Sequence, residues 1–204
     1  MSDALERLYA RDYFEYLRNR GTFRKFVRKI YLADIKRLCK GDTIDFGCGT
    51  GELLAMLSKD SAGLEVNKVA VNFCRELGLH VDYYDPEVDD YGFRMIKEGE
   101  YMTFTMNHVL EHIPDSHQVI KKIFDSCSRM EISRIVITVP GYKGFNSDAT
   151  HRTFIDMKYL REQKLLDNRF YKLKKYKYFP LNNEKLSHLF THNELRIVFV
   201  QRND

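Results

Sequence analysis

The feature that most constrains this chain is the loop Asp45-Phe46-Gly47-Cys48-Gly49-Thr50-Gly51. It follows a short apolar run, Thr43 to Phe46, and precedes a segment with helical spacing, Glu52 to Lys59. Glycines at alternate positions permit a tight turn and let a ligand approach the backbone. A helix opening there presents unpaired N–H groups. A second run, Ala62 to Val66, carries Glu65 near its end, 20 residues after Asp45. An acid at the tip of a second parallel strand is placed to accept hydrogen bonds from both ribose hydroxyls of a nucleoside. A dinucleotide fingerprint needs G-x-G-x-x-G, but counted from Gly47 the last position is Glu52, whose carboxylate repels a pyrophosphate. The pattern is instead G-x-G-x-G with Asp45 two residues before it. That suits a ligand bearing an ammonium group and speaks against a nicotinamide oxidoreductase.

Apolar periodicities alternate through the middle of the chain. After the first strand and its helix, Ala62 to Val66 reads as a strand, Lys68 to Leu77 as a helix, and His80 to Tyr84 and Met102 to Asn107 as strands. Gln118 to Met130 has a helical apolar face, and Arg134 to Val139 is rich in β-branched residues. This alternation means βαβ units and a mostly parallel sheet. Residues 86 to 100 allow one short helix. Phe170 to Tyr178 and Arg196 to Gln201 read as two more strands that close the sheet with an antiparallel edge. The fold class expected is therefore α/β and Rossmann-like: a mostly parallel seven-stranded sheet with an antiparallel C-terminal edge and helices on both faces. One domain covers 1–204, with leading helices over 1–39, a cofactor-binding core over 40–140, and an acceptor loop with C-terminal strands over 141–204.

DFGCGTGELL resembles the first motif of class I S-adenosylmethionine-dependent methyltransferases, and AGLEVNKVAVNFCRELGL resembles their second strand and helix. The resemblance implies S-adenosyl-L-methionine as cofactor. It implies that Gly47, Cys48, Gly49 and Gly51 pack against its methionine part and ribose. Asp45 would orient that loop and the amino-acid moiety, and Glu65 would hold the ribose. Asp85, at the end of the third strand, would meet the adenine amino group or else stand as an exposed turn residue before Pro86.

The segment Asn107-His108-Val109-Leu110-Glu111-His112 contains HVLEH, which resembles the fourth-strand cap of small-molecule members of this family. Asn107 and His108 would then lie near the reactive sulfonium. The same letters match H-x-x-E-H, an inverted zinc-peptidase signature. That signature needs a helix carrying both histidines, yet the segment follows a β-run and meets Pro114 two residues on. No metal is expected.

The stretch Val139 to Asp156 follows the fifth strand and is polar and glycine-bearing. Loops at this edge of a sheet carry function more often than packing. Its VP start and its His151-Arg152-x-Phe154 resemble methyltransferases acting on sugars and nucleotide sugars. Methyl transfer needs alignment of nucleophile, methyl and sulfur. An alcohol or amide acceptor also needs a base, a role that histidine can fill. His108 and His151 are the catalytic candidates; Tyr142, Asp148, His151 and Arg152 are the acceptor-binding candidates.

Composition narrows the partners. The net charge is +4, with nine Lys or Arg between Arg18 and Lys40 against one acid, Asp34, and four more between Lys172 and Lys177. A basic face of this kind can greet an anionic acceptor, and Arg24 or Arg28 would meet a carboxylate or phosphate. The aromatic residues Tyr13, Phe14, Tyr16, Phe23 and Phe26 interleave with Arg18, Arg20, Arg24 and Lys25, so the leading segment would form a lid or pack on the sheet. No N-P-P-Y motif follows the fourth strand, no Pro-Cys pair occurs, and no RNA-binding appendage is recognisable, so nucleic acid is not the expected partner. The four cysteines form no CxxC pair and no run approaches a membrane span, which points to a cytoplasmic protein. The function expected is methyl transfer to a hydroxyl or amino group of a small polar acceptor: a sugar, nucleotide sugar or glycan precursor. The alternatives are a non-catalytic cofactor-binding scaffold that needs a partner, and an RNA methyltransferase. The oligomeric state is open.

Overall fold

The computed structural model describes residues 22–202, with side chains from residue 26 onward. The aromatic and basic candidates between Tyr13 and Arg20 lie outside the described residues, as do the side chains of Phe23, Arg24 and Lys25. The elements run α1 (Thr22–Leu38), β1 (Thr43–Phe46), β2 (Ala62–Glu65), α2 (Lys68–Glu76), β3 (Val81–Tyr83), α3 (Pro86–Asp89) and β4 (Thr103–Asn107). They continue with α4 (Ser116–Arg129), β5 (Arg134–Val139), α5 (Tyr142–Phe145), α6 (Met157–Glu162), β6 (Tyr171–Phe179) and β7 (Glu194–Gln201).

The seven strands form one sheet in the order β3-β2-β1-β4-β5-β7-β6. The first five are parallel; β7 pairs antiparallel with β5, and β6 antiparallel with β7. The chain direction of the order reverses between β1 and β4, which is where open α/β sheets bind ligands at the carboxyl ends of their strands. Because β7 is antiparallel, its first residues rather than its last reach that same edge: Leu195 stands opposite Val139.

Period-two alternation decides which face each side chain serves. In β5, Ile135, Ile137 and Val139 join the larger core, where α4 contributes Ile120, Ile123, Phe124 and Cys127. Val136, between them, points the other way and packs with Val198 of β7 against Leu32, Ile35 and Leu38 of α1. With a helix on each side, all of β5 is buried, as continuous apolar strands of parallel sheets are.

Two expectations are corrected. The segment Glu52 to Lys59 is not a regular helix: only Leu54–Met56 forms a 3-10 turn, held by Met56 N–H to Leu53 O and Leu57 N–H to Leu54 O. Leu53 and Leu54 are adjacent yet serve different apolar clusters, and Ser58 then turns to bond Asp42. The last strand begins at Glu194, two residues earlier than Arg196. Among the described residues no helix is long and apolar enough to cross a membrane, and all four cysteines are free thiols.

Candidate active site

The glycine loop leaves β1 with all three glycines in the left-handed region: Gly47 at φ 71°, Gly49 at 55° and Gly51 at 72°. Their surroundings differ. A Cβ on Gly47 would stand 2.4 Å from Val109, and one on Gly51 2.4 Å from Leu79, whereas one on Gly49 meets no atom within 4 Å. Gly47 and Gly51 are thus small to let the protein close on itself. Gly49 is small on the side that faces open space.

Two buried carboxylates flank this loop, and one of them holds it. Glu65, at the tip of β2, accepts from Gly49 N–H at 2.8 Å and from Asn67 N–H at 2.9 Å. A carboxylate has about four lone-pair sites, so capacity remains for a ligand's hydroxyls. Asp45, on β1, receives a long hydrogen bond of 3.4 Å from Asn107 Nδ2. Burial pushes the Asp45 carboxyl up to about 7; Asn107 and Arg28 oppose the rise and Glu65 adds to it. Asn107 Oδ1 is buried and has no hydrogen-bond partner. Cys48 lies within the loop, where its hydrogen bond with Cys74 and its burial push the thiol up and keep it protonated.

A cavity of about 280 Å³ joins the loop to the next strand: Asp45, Gly47, Cys48 and Gly49 line one side, and Asn107, His108, His112 and Glu194 the other. Helix α1 covers it with Arg28, Tyr31, Leu32 and Ile35. Arg28 Nε donates to Glu52 Oε2 at 2.8 Å across the mouth.

Beyond Asn107 the chain turns sharply. His108 takes a left-handed conformation, φ 56°, and its N–H bonds Thr138 O. Its imidazole sits between two carboxylates, with Nδ1 3.0 Å from Glu111 Oε1 and Nε2 3.1 Å from Glu194 Oε1. Burial works against the charged ring, but Glu194 and then Glu111 outweigh it and push His108 up to about 10. Arg196 extends this row of charges: it is fully buried, contacts Glu194 at 3.3 Å, and pairs with Asp34 of α1. Lys177 of β6 reaches the same Asp34 at 2.7 Å. From Glu111 to Lys177 the charges alternate in sign, and that alternation lets so many ionised groups share a low-dielectric interior.

His151 approaches from the loop after β5. The N–H groups of Arg152 and Thr153 both bond Glu111 O, at 2.7 and 3.1 Å, and so pin that loop to the turn after β4. His151 Nδ1 faces Phe145 O at 2.8 Å, its ring stacks on Phe145, and it meets the His112 ring edge-on. A carboxylate oxygen of Glu111 and one ring nitrogen each of His112 and His151 all lie within 4.8 Å of one another.

The structure therefore gathers Asp45, Gly47, Cys48, Gly49, Glu65, Asn107 and His108 around one cavity and its loop. Gly51 closes the loop, where an added Cβ would stand 2.4 Å from Leu79 and 3.1 Å from Cys74. Asp85 caps α3 through Glu87 N–H and is not among the residues lining the cavity. Tyr142 stacks on His188, and Asp148 binds Thr150 in an exposed turn; neither lines the cavity. Arg152 is exposed and touches the turn after β4 through its backbone. The H-x-x-E-H letters do not form a peptidase helix: Leu110–His112 is a 3-10 turn, and His108 is tied to Glu111 instead of sharing a ligand set with His112. Glu194, Arg196 and Asp34 escaped the sequence reading. The signal was the charged pair two residues apart in an otherwise apolar strand, which puts both on one face.

Sequence comparison decides the family: a methyltransferase-domain family model matches residues 14–200. The chain belongs to the class I S-adenosylmethionine-dependent methyltransferase family. It is 31% identical over 85 residues to a ubiquinone biosynthesis O-methyltransferase of Escherichia coli; the match covers 38% of this chain and only 35% of that enzyme. Among solved structures it is similar to a possible histamine N-methyltransferase of Thermotoga maritima, with TM-score 0.66, 14% identity, and 96% and 99% of the two chains covered. It is also similar to the magnesium protoporphyrin IX methyltransferase of Synechocystis PCC 6803 with bound S-adenosylhomocysteine, with TM-score 0.62, 12% identity, and 98% and 99% covered. At these identities the structures establish the fold. The donor set of this methyltransferase domain suits the family's cofactor: open space at Gly49, a carboxylate with spare acceptors at Glu65, an acid for an ammonium at Asp45, and an unpartnered Asn107 oxygen.

Proposed function

We propose that this protein transfers a methyl group from S-adenosylmethionine to a hydroxyl or amino group of a small polar acceptor seated at the carboxyl edge of β4, β5 and β7. The observation that carries this reading is the single cavity bounded by the glycine loop on one side and by His108, His112 and Glu194 on the other. When bound, the donor supplies an electrophilic methyl on a cationic sulfur, whose bonding pair returns to sulfur as the acceptor bonds carbon. Asp45 takes the donor's ammonium, Glu65 its ribose hydroxyls, and the backbone at Gly49 its close approach. The row of charges through Glu194 and Glu111 fixes the His108 imidazole, which makes it a positioning and electrostatic group. Both of its nitrogens are engaged, so of the two base candidates, His108 and His151, the role falls to His151. His151 Nδ1 faces a carbonyl and must donate, which leaves Nε2 as the lone pair that receives the acceptor's proton. Tyr142, Asp148 and Arg152, on the loop after β5, would select a polar acceptor. A sugar, nucleotide sugar or glycan precursor has the required hydroxyls, and the ubiquinone O-methyltransferase likeness favours oxygen over nitrogen. Action in the cytoplasm fits the four free thiols and the described residues, among which no helix is long and apolar enough to cross a membrane.

Calorimetry with S-adenosylhomocysteine, with NADH as control, tests the donor site. One-to-one micromolar binding of the first compound alone is expected, and Glu65→Ala should weaken it at least about tenfold, or 1.4 kcal/mol. Absence of heat at adequate concentration refutes the reading. A screen with methyl-labelled donor then separates hydroxylated metabolites from RNA and from a requirement for a partner subunit.

A further inference from the structure

We infer that Glu111, His112 and His151 form a binding site for a divalent transition-metal cation at the rim of the cofactor cavity. The argument begins with proton positions. His151 Nδ1 faces the Phe145 carbonyl and must donate to it. Thr150 Oγ1 gives its hydrogen to Asp148 Oδ1 at 2.7 Å, so His112 Nδ1, 3.0 Å from that hydroxyl, must donate as well. When neutral, each ring therefore keeps its lone pair on Nε2. The third member is Glu111, whose side chain is 1% exposed. Its Oε1 is engaged by His108, while Oε2 is buried and has no hydrogen-bond partner. One ligand-type atom from each of the three residues lies within 4.8 Å of the other two, close enough for a single cation to engage all three.

The ligand types choose the cation. Two imidazoles and one carboxylate form a set used by zinc and by other first-row metals, whereas magnesium and calcium prefer oxygen alone. The outer contacts also suit a metal site, since ligating histidines commonly donate their second N–H to a carbonyl or another oxygen. Asp148 Oδ2, 3.9 Å from His151 Nε2, adds negative charge nearby. His112 is exposed and also lines the cofactor cavity. Its ring can close on an ion, and the ion's remaining positions face the space where an acceptor would lie. Three protein ligands leave such positions open. An oxygen of the acceptor is the ligand they would take, and a hydroxyl so bound is acidified. With the ion in place, Nε2 of His151 is a ligand and the acceptor's proton leaves to water instead. This use of the ion rests on the methyl-transfer reading; the ion site itself does not.

The test is a titration of the chelator-treated full chain with cobalt(II) chloride in the absence of any methyl donor, followed by visible absorption. One saturating equivalent with ligand-field bands is expected. His112→Ala and His151→Ala should each weaken binding more than about tenfold, while His80→Ala, far along the chain on an exposed position, leaves it unchanged. Circular-dichroism melts on the same variants separate loss of a ligand from loss of the fold; His112, being exposed, is the variant least able to disturb folding. No saturable band, or a band that persists in both His112→Ala and His151→Ala, overturns the site and assigns protons alone to the cluster. Because no donor is present, failure of the methyl-transfer reading leaves this result interpretable.

Discussion

The two walls of the cavity are built on opposite principles. The glycine-loop wall, from Thr43 to Asn67, acts mainly through backbone: left-handed glycines, and N–H groups that the Glu65 carboxylate gathers to brace the turn. Its parts are neighbours in sequence. The opposite wall acts through polar and ionised side chains drawn from α1, the turn after β4, the loop after β5 and the start of β7. Its parts lie up to 162 residues apart. A wall made of backbone geometry tolerates little change in residue size. A wall made of paired charges tolerates little change in charge.

The largest expected effect breaks the charged wall alone. Arg196→Leu removes the cation between Asp34 and Glu194, and leaves each acid one remaining partner, Lys177 or His108. Urea unfolding should show a loss of about 3 kcal/mol, the low end for breaking a buried ion pair. Homocysteine-compound affinity in the folded fraction should stay within about twofold, or about 0.4 kcal/mol. A large loss of affinity would mean the two walls are one cooperative unit.

Gly49→Ala makes the opposite cut. The new methyl meets no protein atom, so folding should lose only the left-handed backbone penalty of about 1–2 kcal/mol. It fills the space a ligand needs, so calorimetry should show binding weakened by about 100-fold, or 2.7 kcal/mol. Unchanged binding would show that Gly49 does not face the donor.

The smallest effect is graded with pH. Burial holds Asp45 up to about 7, so below that value it is a neutral acid and cannot pair with an ammonium. Affinity should fall as pH drops from 8 to 6, by at most about tenfold per pH unit below the transition. Asp45→Asn should flatten the curve and weaken binding at pH 8. Stability of the ligand-free chain has the opposite sign. A carboxyl held above its unfolded value of 3.8 stabilises fully below that value and loses its contribution as pH rises through about 7.

Much of this was legible from residues alone, for physical reasons that differ by element. Strands β1, β2, β4 and β5 announce themselves because both faces are buried, so apolar and small residues dominate them and the charged or amide side chains Asp45, Glu65, Asn107 and Arg134 are confined to a few positions. Glu52 to Lys59 deceived because its leucines fit a helical period, while burial in two different clusters required a 3-10 turn. Asp45, Glu65 and the glycines were readable because their geometry is set within 25 residues of chain. His151 was readable as a candidate, but its company was not.

The amino-acid sequence by itself determined the alternation of elements and the glycine turn, since those follow from local sterics and hydrophobic period. The tertiary structure alone decided which charges meet. An antiparallel β7 brings Glu194 to the carboxyl edge beside His108, and two backbone hydrogen bonds to Glu111 bring His151 beside His112. Electrostatic energy depends on distance in space and on burial, and neither is written in the spacing of residues along the chain.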